Sequence, residues 1–492
     1  MKLIDNMADR LRNSLRDFLH IEPANISNLT IRETLDWQGE AAKHQIWYRG
    51  DANELSQLYK HIDGGAERSM FWAAVPSAGN NIRKIHTGIP GVMVDVLVSI
   101  VMRDLNGIVA GERDDDWQAI SKDNNFDEML SQAVSDALVI GDGAFKISYD
   151  PNLSKYPIIE FVQGTDINFK TSRGRVTAVE FRTTYHHRNV KYELYETYNK
   201  DKITSELTKD GRTVNLNAIP QTEGLHPVVD NHNKFMMAIP FKVFGNHKWK
   251  NRGKSIFDGK TDNFDALDEA WSQWMDAVRQ GRAKTYIPEN MLPRSPYTGE
   301  VMRPNGFDNS YIQTEAQMVQ GVANKIENVQ PSIPHDSYLA TYITALDLCL
   351  QGIISPSTLG IDVKKLDNAD AQREKEKATL YTRNKIVEAL QNILPEVVNA
   401  AIKTYDAQNK KSIKDVEVEV AFGEYANPSF ESQVETVGKA KSQGIMSIEA
   451  AVDELYGDSK DDEWKKEEVE RIKAEQGTAT VAEPSLGDDI IE

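Results

Sequence analysis

The chain reads as an α+β protein of more than one structural region. Apolar residues recur at helical spacing at both ends, the region from Ala144 to about Phe244 alternates with a period of two, and two helix-length segments flank an irregular stretch of some 50 residues. With 492 residues, the chain exceeds one typical core. A formal charge of −18 and a pI near 5.1 argue against a protein that grips nucleic acid over its whole surface, because such binding rests on many Lys and Arg contacts to phosphate. Passage of DNA is not excluded.

In chain order, Leu3, Met7, Leu11, Leu15 and Leu19 mark one amphipathic helical face, and Glu54, Leu55, Leu58 and Tyr59 belong to another. The N-terminus mixes charge with apolar residues and is not a secretory signal. Trp37, Trp47, Tyr48 and Trp72 read as core anchors. Residues 83–105 form a loop leading to a buried helix that opens near Pro90, where a first-turn proline costs nothing. That run is the most apolar in the chain, yet Asp95 interrupts it and it falls short of the roughly 20 residues a membrane span needs. A soluble protein is expected. A further helix ends at Gly141 and Gly143.

The alternating region holds FKISYD, IIEFV, VTAVEFRTTYH, YELYETY and TSELTK between turn residues, which is a sheet. His186 and His187 are adjacent strand residues and point to opposite faces, so a shared metal is not expected. The following stretch carries both GKS and GKT. A phosphate loop requires G-x-x-x-x-G-K-[ST], whereas Lys248 stands five before Gly253 and Lys254 five before Gly259, so the spacing refuses that reading.

A helix then follows at about 262–283, with Phe264, Leu267, Trp271, Trp274 and Val278 on one face. Asp262, Asp265, Asp268 and Glu269 in its first turns, and Arg279, Arg282 and Lys284 at its end, are expected to complement the helix dipole. Leu339, Tyr342, Ile343, Leu346 and Leu350 define the second helix of the pair, about 336–353, with Asp336 or Ser337 as its N-cap. The single Cys349 falls there as a small core residue. It leaves no partner for an intrachain disulfide, which suits a reducing compartment.

Gly352, Ser355, Pro356 and Gly360 break the pattern. A long helix restarts at Asp367 or Asn368, opens on the charged run Arg373 to Lys377, and should kink near Gln391 because of Pro395. Residues 415–425 alternate as a strand. The end of the folded chain is helical, with Gly444 closing one helix and Ser447 capping the next. From Gly477 on, an acidic tail lacks periodicity and is expected to be disordered.

The phrases RKIHTGIPGVMVDVLVSIV, GDGAFKISYD, GKSIFDGKTDNFDALDEAWSQ, GIISPSTLG followed by NADAQREKEK, and SQGIMSIEAAVDELYGD stand in an order that resembles the portal proteins of tailed bacteriophages of the siphophage kind, over nearly the whole chain. The resemblance implies a ring of about twelve subunits at one capsid vertex, with double-stranded DNA passing through its centre. It implies a mixed α/β wing (1–258), a first stem helix (259–285), a clip (286–333), a second stem helix (334–354), a tunnel loop (355–367), a long helix and strand returning to the wing (368–427), a helical crown (428–475) and the acidic tail (476–492). The terminase large subunit, a head-completion adaptor, and the major capsid and scaffolding proteins are the implied partners; no membrane is involved. The implied setting is the virion, and the host cytoplasm during assembly.

Such a conduit needs no cofactor and no metal, and is not an enzyme. Negative charge on every copy keeps the channel from holding the phosphates it conducts. Ser355, Ser357, Thr358, Lys364 and Lys365 in the tunnel loop are the candidate DNA contacts, with the lysine doublet the only paired positive charge between the two long helices. Two rival readings are an enzymatic nucleic-acid translocase or nuclease, disfavoured by the failed phosphate-loop spacing, and another capsid or connector component.

Overall fold

The computed structural model describes residues 34–62, 70–74, 82–231, 234–288, 291–292, 294–301, 311–314, 326–361, 369–423, 430–456 and 462–475. The N-terminal amphipathic face, Lys364, Lys365 and the acidic tail therefore lie outside the described residues. The chain divides into two compact units, residues 1–100 with 110–418 and residues 101–109 with 419–492.

The first unit opens with α1 (Trp37–Arg49), which Asp36 caps by accepting a hydrogen bond from the Gly39 amide at 2.8 Å, and α2 (Ala52–Ile62). The indole of Trp47, fully buried, donates to the Tyr59 hydroxyl across these helices at 3.1 Å. Trp72 is fully buried as well, whereas Trp37 is half-buried. α3 (Ile89–Asp104) begins with Pro90 in its first turn, as expected. α4 (Asp114–Asp123) and α5 (Phe126–Val139) follow the short strand β1 (Leu105–Val109).

Two sheets occupy the alternating region. One has β2 (Asp142–Ser148) between β3 (Ile158–Gln163) and β10 (Ala238–Lys242), all antiparallel. The other has six strands: β4 (Ile167–Ser172), β5 (Arg175–His187), β6 (Val190–Asn199), β7 (Lys202–Lys209) and β8 (Arg212–Val214) in sequence order, with β9 (Val228–Asp230) added to β7. Period-two alternation places Ile167, Val179, Phe181 and Tyr198 in one core cluster and Leu194, Leu207, Leu216 and Ile219 in another.

The GKS segment has a packing role. The Gly253 amide donates to buried Asp142 at 2.6 Å, and a Cβ added to Gly253 would come within 1.8 Å of the Gly141 carbonyl oxygen. Only glycine permits that approach. Ser255, also buried, donates to the Leu138 carbonyl at 3.3 Å. Arg252 stacks on Trp37 at 3.4 Å and donates to the Gly164 and Ile167 carbonyls at 2.6 and 3.1 Å, closing the sheet against α1.

Then come α6 (Thr261–Gln280), a three-stranded sheet of β11 (Lys284–Pro288) flanked by β12 (Tyr311–Thr314) and β13 (Glu327–Val329), α7 (His335–Leu350), and α8 (Ala369–Gln408). β12 runs parallel to β11 and β13 antiparallel to it. α7 starts one residue before Asp336, on Pro334 as N-cap, so neither Asp336 nor Ser337 caps it and Asp336 sits in the first turn. α8 stays helical through Pro395. Buried Ile386, Leu390, Leu394, Val397 and Ala401 recur along it at spacings of three and four. Arg113 forks onto buried Asp406 of α8 with two bonds of 3.0 and 2.8 Å.

In the second unit β1 pairs antiparallel with β14 (Glu419–Phe422), and α9 (Phe430–Ser442), α10 (Ile448–Tyr456) and α11 (Asp462–Glu475) follow. Gly444 takes a φ of 70° after α9, and Ser447 accepts from the Ala450 amide at 3.1 Å. Both caps fall where the sequence placed them.

Candidate functional site

The site is built on the α6–α7 pair and the turn that leaves it. The start of α6 meets the end of α7, and Gly281 at the end of α6 lies against Ile333 just before α7, so the helices are antiparallel. Aromatic rings zip the pair: Trp274 stacks on Tyr338 with centroids 6.4 Å apart and planes 7° apart, and Trp271 meets Tyr342 at 5.4 Å. Trp271, Trp274 and Tyr342 belong to the faces read from spacing, whereas Tyr338 takes the contact that spacing assigned to Leu339, and Leu339 and Val278 are exposed. Cys349 is fully buried in α7, where burial pushes its thiol up to about 12 and makes it unreactive.

Lys260 closes the junction. Its ammonium donates to the Leu348 and Gln351 carbonyls at 2.8 and 2.9 Å, and Asn263 adds a bond to Leu348 at 3.2 Å. A helix leaves its last carbonyls unpaired and carries partial negative charge there, so a lysine at this end satisfies both needs. Sequence spacing gave no sign of this, because the lysine precedes one helix and caps the end of another some 90 residues on.

Asp262 in the first turn of α6 and Arg279 in its last turn complement the dipole as expected, but Asp265 and Asp268 do something else. Asp262 alone is exposed in the first turn. Asp265 and Asp268, 5% and 0% exposed, face inward and hold the segment that leads into α3. Asp265 accepts the Phe71 and Trp72 amides at 2.8 and 3.1 Å; burial raises its carboxyl to about 6. Asp268 accepts from the Trp72 indole at 3.2 Å and from the Thr87 amide and hydroxyl, both at 2.9 Å, and lies 2.7 Å from His86 Nδ1. Ser272 accepts the Ile85 amide at 2.9 Å, and Lys84 donates to the Phe71, Trp72 and Ala74 carbonyls. A charge buried in this way is retained only when fully hydrogen-bonded. Arg282 and Lys284 lie beyond the end of α6, with Lys284 in β11.

No protein-family model matches this chain, and no curated protein sequence does. Among solved structures the chain is similar to the neck of the native gene transfer agent particle computed with C12 symmetry, at 11% identity and a TM-score of 0.41, covering 76% of this chain and 91% of the other. It is also similar to the virion of the native particle (11% identity, TM-score 0.36, 73% and 86% covered) and to the neck of the empty particle computed with C6 symmetry (12% identity, TM-score 0.36, 76% and 93% covered). All three come from necks or virions. At TM-scores below 0.5 the likeness adds no weight to the residues described above.

After α7, the chain turns through buried Ile353, Ile354 and Ser355 into a single 3-10 turn, Ser357–Leu359, ended by Gly360 at a φ of 71°. The Ser355 amide donates to Thr379 Oγ1 of α8 at 2.8 Å, its own hydroxyl lies 2.7 Å from that of Ser357, and Thr358 Oγ1 lies 3.1 Å from Thr379 Oγ1. Ser355, 2% exposed, is thus turned into the chain, Thr358 is half-buried against Thr379, and Ser357 is exposed. Thr379, buried in the first part of α8, is the anchor that sequence reading missed. An open groove of about 400 Å³ runs beside this turn, lined by Leu348, Leu350, Gly352, Ile354, Pro356 and Ala378 among others.

Among the described residues no cluster of His, Cys, Asp or Glu is suited to hold a metal, and no helix is long and apolar enough to cross a membrane. His186 and His187 pair with Lys191 and Val190 across the β5–β6 hairpin.

Proposed function

We propose that the chain is the subunit of a portal-type ring through which double-stranded DNA is packaged and later released, with α6 and α7 as the stem. One observation carries this most directly. The antiparallel pair is tied to the rest of its own chain on one side, yet leaves Val278, Leu339 and Leu348 between 40% and 46% exposed. Apolar side chains along a helix pair need a partner, and copies arranged about an axis supply it. The sequence resemblance gives about twelve as the number of copies.

In this reading the β11–β12–β13 sheet belongs to the clip that docks the terminase motor and the head-completion adaptor. The turn at 355–361 is the root of the tunnel loop, and α9 to α11 are the crown. The fixed part of the loop is its root, held by Thr379, and DNA contact falls to Ser357, Thr358, Lys364 and Lys365, with Ser355 positioning the turn. The surrounding negative charge keeps contact light.

Electron microscopy of the purified protein together with mass measurement tests the proposal. Rings with an axial opening and about twelve copies are expected. A monodisperse monomer at tens of micromolar would overturn it.

A further inference from the structure

The six-stranded sheet ends, on the side of the β5–β6 and β7–β8 turns, in a concentration of cations unusual for a chain of formal charge −18. Register sets Tyr185, Tyr192, Lys209 and Arg212 in one row across four strands. Lys209 and Arg212 thus stand directly opposite each other, and like charges in that position cost stability. On the other face His186 stands opposite Lys191. Arg188 and Asn189 form the β5–β6 turn at φ values of 51° and 61°. Arg188 and Arg212 are exposed, and neither has an ion-pair or hydrogen-bond partner for its side chain among the described residues.

Among the nearby described carboxylates Glu193 neutralises Lys191, but none pairs with Arg188 or Arg212. Glu193 is taken by Lys191 at 2.7 Å and by the Tyr195 hydroxyl at 3.0 Å, Glu206 accepts from Thr213, and Asp210 is the one carboxylate within either turn. The two turns are separated by about two strand spacings, roughly 10 Å. That equals the axial advance of about three phosphates along one DNA strand.

The kind of partner follows from what is absent. Protein interfaces are anchored by apolar or aromatic side chains in pockets. The exposed large apolar residues of this sheet, Val176, Val228 and Val229, lie at its opposite end. At the cationic end the aromatic residues Tyr185 and Tyr192 are half-buried within the sheet, with Lys209 over the Tyr192 ring at 6.0 Å, and the exposed turn positions carry Arg188, Asn189 and Arg212, of the kind that binds phosphate and sugar without reading sequence.

We propose that this end of the sheet holds the phosphate backbone of double-stranded DNA, independently of sequence, through Arg188, Arg212 and Lys209, with Lys191 left to its ion pair with Glu193. The proposal rests on the sheet alone and holds whether or not the chain forms a ring. The test measures anisotropy of a fluorescein-labelled duplex of about 30 bp with full-length protein over a range of salt. Binding that weakens steeply with salt is expected. Arg188→Glu with Arg212→Glu should weaken it at least about tenfold, and Arg188→Lys with Arg212→Lys should retain it. Thermal melting of the Glu pair should match the parent chain; if it does not, Arg188→Ser with Arg212→Ser serves in its place. A Lys364→Glu, Lys365→Glu chain run in parallel separates this contact from any made by the tunnel loop. Absence of duplex binding at low salt, unchanged binding by the Glu pair, or tighter binding of a polyglutamate peptide than of the duplex would each overturn the proposal, the last by assigning the surface to an acidic protein.

Discussion

Two carboxylates, buried Asp268 and half-buried Asp136, illustrate opposite energetic balances. Asp268 is fully buried and satisfies donors from three residues at once. Asp268→Ala should cost about 3–5 kcal/mol, because it strands those donors in a dry environment. Denaturant titration checks the magnitude, and limited proteolysis near Ala74 should accelerate. Asp136 shows the opposite balance: burial raises its carboxyl to about 6, with one hydrogen bond, from Gln132 at 3.1 Å, to offset the penalty. For an acid whose folded value lies above its unfolded value of 3.8, the folded state binds the extra proton between those limits. Its contribution is therefore fully present below about pH 4 and lost as pH rises towards about 6. Asp136→Asn removes that dependence. Relative to the parent chain the variant should gain stability across this window, on the order of 2 kcal/mol by pH 7, read from melting curves at several pH values.

At the scale of elements, the α6–α7 pair depends on rings rather than on aliphatic packing at the end where β11 begins. Trp274 contacts Trp271, Tyr338 and Tyr342. Trp274→Ala should lower stability by about 3 kcal/mol, and by less if the pair is only half-formed outside an assembly. Comparing its melting in assembled and unassembled fractions distinguishes these cases. The turn at 355–361 has the reverse character. It is held by Thr379, while Lys364 and Lys365, outside the described residues and part of the proposed tunnel loop, are expected to have little effect on folding. Replacing both by Glu should give normal rings with defective DNA filling or retention. Full packaging and normal retention would remove the doublet from the contact set.

For the whole molecule, assembly and docking are separable expectations. Deleting residues 294–312 removes much of the segment between α6 and α7 but neither helix. Rings should still form, and attachment of the motor or adaptor should be lost, as scored by microscopy and by packaging in vitro. Packaging that survives the deletion with rings intact would reassign the clip.

The local chemistry of the chain determined much on its own. Helical spacing located α3, α5, α6, α7 and the long α8, period-two alternation located the sheet region of residues 144–244 but not the β11–β12–β13 sheet in the stretch read as irregular, and Gly444 with Ser447 fixed a helix end and the next start to the residue. These signals are local: each depends on neighbours within a turn or a strand. Tertiary structure decided what joins distant parts. Asp265 and Asp268 have a dipole-complementing position in the sequence, yet the segment carrying Trp72 and His86 buries them. The glycine at 253 resembles part of a phosphate loop, and its need comes from the approach of Gly141. Lys260 and Thr379 have no local signature at all, since each acts on an element reached only when the chain folds back. A hydrogen bond costs too much to leave unmade in the interior, but nothing in a sequence window says which distant donor will arrive to make it.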